Sequence, residues 1–438
     1  MSTGDRSGGL AALAARVRGL VRIEPGEGRA LAWSCAYFFL LLSSYYVIRP
    51  LRDEMGLRGT DDALSWLFVG TLAGTVALNP LFGALVRRYP RRVFVPFVYH
   101  VLAATLLLFY VLLRIMPSDS ALPVARVFFV WVSIFNLFAV SVFWGFMADI
   151  WSSAQGKRLF GLVGVGGTVG AIAGGALTAG LVHAVGATRL LLLAAILLEG
   201  AVMAVRRLAR IAVPRSAPAP PGEDGLTGPK AWLEGFRLIA RSPYLAGICL
   251  FLLLYAISST FLYFEQARIT RAAFADSASR VAFFARMDLA VNVIALTVQL
   301  FLTGRIIGWV GLGASLAVMP LLSAGGYLLL ALMPVVPVLV GVQVLRRAAE
   351  FALVRPAREV LFTVVTRDEK YTAKSLIDTF VYRGGDVIGA WADRLLAALG
   401  AGGGTLAVVF LPLGAAWVGL AAWLGRRQRA LAAREENR

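Results

Sequence analysis

Long apolar segments constrain this chain more than any other feature of its sequence. Apolar residues make up 59% of its 438 residues, and they gather in continuous blocks. About 20 apolar residues let a helix cross the hydrocarbon core of a bilayer, and a helix satisfies its own backbone hydrogen bonds there. The sequence therefore predicts an all-α membrane protein with twelve transmembrane helices. The blocks lie near residues 30–48, 63–86, 93–113, 123–147, 159–182, 189–205, 244–264, 282–303, 312–333, 336–365, 376–399 and 404–424.

A polar, proline-rich interval divides the blocks into two sets of six. Residues 230–239 of this interval mix apolar and charged residues at helical spacing. This pattern predicts an amphipathic helix on the membrane surface, and a plain linker is the alternative. We expect five regions, namely an N-terminal segment 1–29, a first half 30–205, a linker 206–243, a second half 244–424 and a basic tail 425–438.

Lysine and arginine concentrate in every second gap between the blocks, beginning with the N-terminal segment. Because short positively charged loops stay on the cytoplasmic side, we expect both termini in the cytoplasm. We expect the membrane to be the inner membrane of a bacterial cell. These loops, which meet anionic lipid headgroups, also explain the net charge of +18. We therefore expect a lipid bilayer as a partner and no nucleic acid.

The cysteine and histidine residues do not form a metal-binding pattern. Cys35 and Cys249 lie inside apolar blocks, and His100 and His183 are far apart. A zinc site needs several such ligands together. The sequence therefore predicts no metal site and no cofactor, and it contains no P-loop for nucleotide hydrolysis.

Charged residues inside the apolar blocks are the best indicators of a functional site, because each costs roughly 2.5–3.5 kcal/mol at the centre of a membrane helix. In the tenth block, each glutamate lies four residues after an arginine, which predicts two ion pairs. Arg347 and Arg358 are left over, and their spacing of eleven residues places them on one helix face. Surplus positive charge on one face predicts a cavity for an anion. As alternatives, these arginines could pair with acidic residues of the other half or lie beyond the hydrocarbon core. The charged residues of the block are Arg346, Arg347, Glu350, Arg355, Arg358 and Glu359.

Two other blocks carry polar side chains on one face. Arg49 and Arg52 are three apart at the end of the first block, and the planar guanidinium suits phosphate or carboxylate. A membrane-interface anchor is the alternative. Asp288, Asn292 and Gln299 form one stripe on the eighth block, which predicts the lining of a water-filled cavity or, alternatively, hydrogen bonds between helices.

Glycines recur every four residues in the fifth block, at Gly166, Gly170 and Gly174. A dinucleotide-binding fingerprint would need a preceding strand, which a membrane span does not supply. The spacing therefore predicts close packing against another helix.

The loop between the second and third blocks resembles a signature of the major facilitator superfamily, Gly-x-x-x-Asp-Arg-x-Gly-Arg-Arg. Arg87 replaces the acidic residue and Pro90 replaces the second glycine. The resemblance implies two six-helix halves, which agrees with the blocks. The matching residues are Gly83, Arg88, Arg91 and Arg92.

Four further segments resemble the nucleotide exchange carriers, the ATP/ADP translocases of plastids and intracellular bacteria. Phe143-Trp144-Gly145-Phe146 is identical to a family motif. Glu350 stands where the family has lysine and Arg355 where it has aspartate, so two charges are inverted. The other matching residues are Tyr45, Val47, Arg49, Asp53, Lys157, Arg158, Pro356, Glu359, Lys370, Lys374, Ile377 and Asp378.

Together, the charges and the resemblance predict a monomeric carrier, not an enzyme, that exchanges a small anionic solute such as ATP, ADP or another phosphorylated compound. The alternatives are a proton-coupled transporter of another organic anion or drug, a membrane enzyme, and a receptor or scaffold. We expect the substrate to be bound by Arg49, Arg52, Lys157, Asn292, Arg347, Arg355, Arg358 and Lys374. We expect gating ion pairs from Asp53, Asp288, Glu350, Glu359 and Asp378.

Overall fold

The computed structural model describes residues 23–117, 120–211, 229–366, 369, 373–374, 376–400 and 403–436. Several predicted features therefore lie outside the described residues. They are most of the N-terminal segment (1–22), the proline-rich part of the linker (212–228), Lys370, the end of the basic tail (437–438) and the side chain of Asp378.

The first half consists of six helices joined by short turns. Polar caps begin some of them, since Thr60 accepts a hydrogen bond from the amide of Ala63 and Ser152 forms a capping box with Gln155. The helices are α1 (Glu27–Gly56), α2 (Asp61–Arg88), α3 (Arg91–Ile115), α4 (Leu122–Ile150), α5 (Ser153–Val185) and α6 (Leu190–Ile211).

The second half begins after a separate short helix, α7, which occupies the predicted amphipathic part of the linker. Two π-helical turns interrupt this half, at Glu350–Val354 and Ile377–Val381. The helices are α7 (Pro229–Arg241), α8 (Pro243–Ala273), α9 (Ser277–Phe301), α10 (Thr303–Leu332), α11 (Val336–Ala349), α12 (Arg355–Leu361), α13 (Tyr382–Ala398) and α14 (Gly403–Glu436). A 3-10 turn, Phe362–Val364, follows α12.

The predicted all-α membrane fold is confirmed. Within the described part of the chain, nine helices are long and apolar enough to cross a bilayer. The remaining three crossings are α6, the path through α11 and α12, and α13. The π-helical turns divide the last two paths into shorter pieces, which is why they are short as single helices.

Close packing between α5 and α1 confirms the interpretation of the glycine repeat. A Cβ atom added at Gly166, Gly170 or Gly174 would lie 2.9, 2.2 or 2.5 Å from a backbone oxygen of α1. These distances leave no room for a side chain. The glycines therefore let the backbones of the two helices touch.

Apolar residues from both halves pack together where α1 ends and α2 begins. Leu64, Phe68 and Phe129 of the first half belong to the same buried cluster as Phe264 and Met287 of the second. The rings of Phe68 and Phe264 stack with their centroids 6.0 Å apart. The halves are thus in contact at this end of the bundle, and the space between them extends toward the other end.

Candidate substrate cavity between the halves

A cavity of about 1000 Å³ lies between the two halves. Helices α1, α2, α4 and α5 form one wall, and α8, α9, α11 and α13 form the other. Among the described residues, six arginines and three carboxylates line it, so its charge favours an anion. They are Arg49, Arg52, Arg346, Arg347, Arg355, Arg383, Asp53, Glu350 and Asp386.

Asp288 lies behind this wall and contacts two of its arginines. Arg347 donates a hydrogen bond of 2.5 Å to one carboxylate oxygen, and Nε of Arg49 lies 3.5 Å from the other. The Asp288 side chain is only 2% exposed. Nε of Arg49 and the facing oxygen of Asp288 are buried and form no hydrogen bond in the described structure, so their contact is an ion pair without a hydrogen bond.

Arg52 is held in place by neighbours of the first half. It donates to Ser133 over 3.0 Å and to Asp53 over 2.9 Å, and its guanidinium lies 4.1 Å from the ring centroid of Phe129. Tyr263 of the second half donates to the same Asp53 oxygen over 3.1 Å. This arrangement fixes the direction of the Arg52 side chain at the cavity wall.

Arg346 is buried among hydroxyl groups instead of carboxylates. It donates to Ser323 over 2.9 Å and to Ser259 over 3.0 Å, and it lies over the ring of Tyr255. Within the described structure, no carboxylate forms an ion pair with it. Its positive charge is therefore hydrogen-bonded but not neutralised.

Two carboxylates of the second half face the same space. Asp386 accepts hydrogen bonds from Thr260 over 3.1 Å and from Arg383 over 3.4 Å. Glu350 is 4% exposed and forms no hydrogen bond or ion pair within the described part of the chain. Glu350 is thus the buried carboxylate of the cavity that lacks a partner.

The prediction that Arg347 and Arg358 share one helix face was wrong, because the π-helical turn Glu350–Val354 lies between them. A π-helical turn contains an extra residue, which rotates the following residues by about 100° relative to a continuous α-helix. As a result Arg347 lines the cavity, whereas Arg358 does not share its face and lies outside the wall.

The two ion pairs predicted within that block do not form among the described side chains. Arg346 contacts the serines described above instead of Glu350. Glu359 instead forms an ion pair of 2.7 Å with Lys374. The guanidinium of Arg355 lies over the ring of Phe351 and lines the cavity.

The remaining predicted site residues lie at different places. Asn292 is buried and donates to the backbone oxygen of Asp288 on its own helix. Gln299 of the same stripe does line the cavity. Lys157 is exposed in the first turns of α5, and Lys374 lies beside Glu359, outside the cavity wall. Their assignment to the substrate stays a prediction.

A polar clamp joins the halves where α1 ends, and we define it as Asp61, Asp62, Arg268, Arg271 and Arg394. Asp61 of the first half forms ion pairs with Arg271 and, over 3.6 Å, with Arg268. Asp62 forms one of 2.9 Å with Arg394. The clamp lies next to the apolar contact between the halves and closes this end of the cavity.

Sequence reasoning did not assign Arg346, Arg383 or Asp386 to the substrate site. The sequence pattern assigned Arg346 to an ion pair with Glu350 instead. Arg383 and Asp386 lie inside an apolar block, so the cost of membrane charge would have singled them out. The clamp gave a weaker signal, since acidic residues in the first turn of a helix are common for local electrostatic reasons.

Comparison with known families gives one result that covers most of the chain. The sequence profile of the Major Facilitator Superfamily matches residues 30–385. No curated protein sequence is significantly similar to the chain.

Solved structures of several transporters have a similar fold. A bacterial homologue of the iron transporter ferroportin, in an inward-facing state, gives a TM-score of 0.64 at 13% identity and covers 91% of this chain and 98% of its own. The nucleoside transporter NupG gives 0.60 at 13% identity, covering 92% and 99%. The human organic anion transporter MFSD10 gives 0.56 at 17% identity, covering 92% and 100%. At these identities the similarity concerns the fold alone.

Proposed function

We propose, since the chain belongs to the major facilitator superfamily, that this membrane transporter exchanges nucleotides or related phosphorylated anions by alternating access. The observation that carries the proposal is the position of Asp288 between Arg49 and Arg347. Both arginines face a cavity in which arginines outnumber carboxylates. Guanidinium groups bind phosphate oxygens with two parallel hydrogen bonds, so a phosphate is a suitable ligand for them.

Aromatic side chains in the same cavity support a ligand with a nucleobase. Tyr45, Trp144, Phe160, Tyr255 and Tyr382 line the wall together with the arginines. Stacking on aromatic rings contributes about 1–3 kcal/mol per base. The cavity volume is also at the upper end of the roughly 300–1000 Å³ typical of ligand sites, which suits a nucleotide better than a small inorganic anion.

The ion pair between Arg49 and Asp288 provides a reason for exchange. It joins the two halves, and a bound phosphate would compete with Asp288 for Arg49. Binding would therefore free the halves to rock about the central site. A carrier without a bound anion would keep the ion pair and would change its access slowly. Transport in one direction would therefore depend on a second anion being carried in the opposite direction.

The predicted orientation assigns sides to the two ends of the bundle. With both termini in the cytoplasm of a bacterial cell, the polar clamp lies on the periplasmic side of the inner membrane. The cavity extends the other way, toward the first turns of α5 and the end of α9. The described conformation then corresponds to an inward-facing carrier.

The test is exchange by purified protein in liposomes. We expect labelled ATP to enter vesicles loaded with ADP and not to enter empty vesicles. Arg347→Gln should raise the KM about 10- to 100-fold, because a charge-assisted hydrogen bond is worth about 1.5–3 kcal/mol. Arg305→Gln is the matched control, since Arg305 is exposed and lies outside the cavity wall. Equal loss in both variants would refute the site assignment.

Glu350 favours a second candidate function, proton-coupled uptake of another organic anion. Glu350 lines the cavity and forms no hydrogen bond or ion pair within the described part of the chain, so it is the carboxylate that such a mechanism would use. Uptake that follows a pH gradient into empty vesicles, and that Glu350→Gln abolishes, would support this candidate and contradict nucleotide exchange.

A further inference from the structure

A chain of three polar side chains lies on the outer surface of the first half, away from the cavity. Nδ1 of His100 on α3 is 2.8 Å from a carboxylate oxygen of Glu199 on α6. Nη2 of Arg206, also on α6, is 2.9 Å from Nε2 of the same imidazole. Because arginine only donates hydrogen bonds, Nε2 accepts and Nδ1–H donates to Glu199. The imidazole in this arrangement is neutral, between one negative and one positive charge.

These side chains lie at the depth of the hydrocarbon core. Glu199 is nine residues from the first residue of α6 and twelve from the last, which corresponds to about 14 and 18 Å along the helix. His100 and Glu199 are 42% and 46% exposed. Ile196 and Met203 flank Glu199 on the same face of α6 and are strongly exposed. The carboxylate is thus surrounded by a surface that otherwise suits lipid tails.

Contact with lipid alone would be unfavourable for this carboxylate. Ionisable groups in membrane helices nearly always face the protein interior or a water-filled cavity, and an exposed one costs several kcal/mol. The long side chain of Arg206, five residues from the end of α6, reaches back to His100. The short side chain of Glu199 cannot extend to the membrane interface. Protein that covers this face would remove the cost.

We propose that the surface formed by His100, Glu199, Arg206, Ile196 and Met203 is the interface of a homodimer, and we call it the α3–α6 face. Two copies inserted in the same direction are related by a twofold axis along the membrane normal, so side chains at equal depth meet. His100 and Glu199 are at equal depth because they share a hydrogen bond.

The α3–α6 face supplies both partners that such a contact needs. Glu199 has one carboxylate oxygen without a partner in the described structure, and the guanidinium of Arg206 has further N–H groups. Across a twofold axis, the free Glu199 oxygen of each copy meets the Arg206 N–H groups of the other copy. The symmetry therefore produces this contact twice. The face therefore complements itself in charge. This proposal departs from the monomer expected from the sequence and is independent of the transported solute.

Cysteine cross-linking in native membranes tests the proposal without disturbing the charges. In a background carrying Cys35→Ser and Cys249→Ser, we expect Met203→Cys to give a covalent dimer with a short bismaleimide. Leu321→Cys on α10 is the matched control, because Leu321 is 61% exposed and Met203 64%, and it should remain monomeric. Equal cross-linking of both variants, or cross-linking of Met203→Cys only to a different protein, would overturn the proposal.

A second measurement counts copies by single-molecule photobleaching in liposomes at low protein density. We expect two bleaching steps for the wild type and at least a tenfold weaker dimer for Glu199→Leu, with no fall in the thermal stability of the monomer. Single steps for the wild type, or unchanged dimerisation of Glu199→Leu, would show that the α3–α6 face meets lipid or another protein instead.

Discussion

Asp288 accepts a hydrogen bond from Arg347 of its own half and forms an ion pair with Arg49 of the other half. One carboxylate therefore joins the halves through the same two arginines that face the cavity. Anion binding and contact between the halves compete for the same two arginines. Substitutions that change these charges should therefore alter both the stability of the protein and its response to an anion.

Asp288→Asn should lower the free energy of unfolding by about 3–5 kcal/mol, because it leaves two largely buried arginines without their carboxylate. Thermal unfolding in detergent measures this change. Added ATP should raise the Tm of the variant more than that of the wild type, since the anion takes the place of the lost charge.

Glu234→Gln provides the control for this experiment. Glu234 is an exposed carboxylate on α7, so its neutralisation should leave both the Tm and the effect of ATP unchanged. If Asp288→Asn behaved like Glu234→Gln, the ion pairs of Asp288 would contribute nothing measurable to stability.

Exchanging the charges of Arg49 and Asp288 tests whether their ion pair joins the halves. Arg49→Asp alone places two carboxylates opposite each other beside a single arginine, Arg347, and should unfold at a lower temperature. Asp288→Arg alone crowds three arginines. The double variant restores opposite charges, so we expect its Tm to exceed that of either single variant. Additive losses in the double variant would show that the two residues are not coupled.

The polar clamp should control which end of the cavity is open. Asp61→Asn removes the carboxylate that contacts Arg268 and Arg271, so we expect the halves to separate more often at this end. Spin labels can be attached to Thr60→Cys and Ala275→Cys, which lie one in each half and are both exposed. Separation of the halves should then appear as a longer distance between the two labels in pulsed electron spin resonance.

Asp276→Asn is the matched control for the clamp. Asp276 lies at the same end of the bundle, and its carboxylate caps α9 by accepting from the amide of Ser279. Asparagine caps a helix about as well as aspartate, so the distance distribution should match the wild type. A shift of equal size in both variants would contradict a specific role for Asp61.

The helices could be predicted from the sequence because length and apolar character are local properties of each segment. Arg49 and Asp288 were both recognised as unusual membrane charges for the same reason. Their contact could not be predicted, since it depends on how two separately folded halves meet, and no spacing within one helix encodes that relationship.

Spacing also failed where the helix itself was irregular. Arg347 and Arg358 share a face only if the helix between them is a continuous α-helix, and the π-helical turn Glu350–Val354 changes that register. The clamp residue Asp61 looked like an ordinary acidic residue at a helix N-terminus. Its second role, to contact Arg268 and Arg271, appears only in the assembled bundle.

The close contact between α5 and α1 links the stability of the protein to its transport. A Cβ at Gly170 would lie 2.2 Å from the backbone oxygen of Phe39, so Gly170→Ala must push the two helices apart. Overpacking of this kind costs about 1–3 kcal/mol. Because α1 also carries Arg49, we expect a lower Tm and slower exchange.

Gly180→Ala, also on α5, is the control for Gly170→Ala, since nothing lies within 4 Å of its added Cβ. Alanine there should keep exchange unchanged and should stabilise the helix by about 0.5–1 kcal/mol. Equal Tm values for the two variants would show that α1 and α5 can separate without cost.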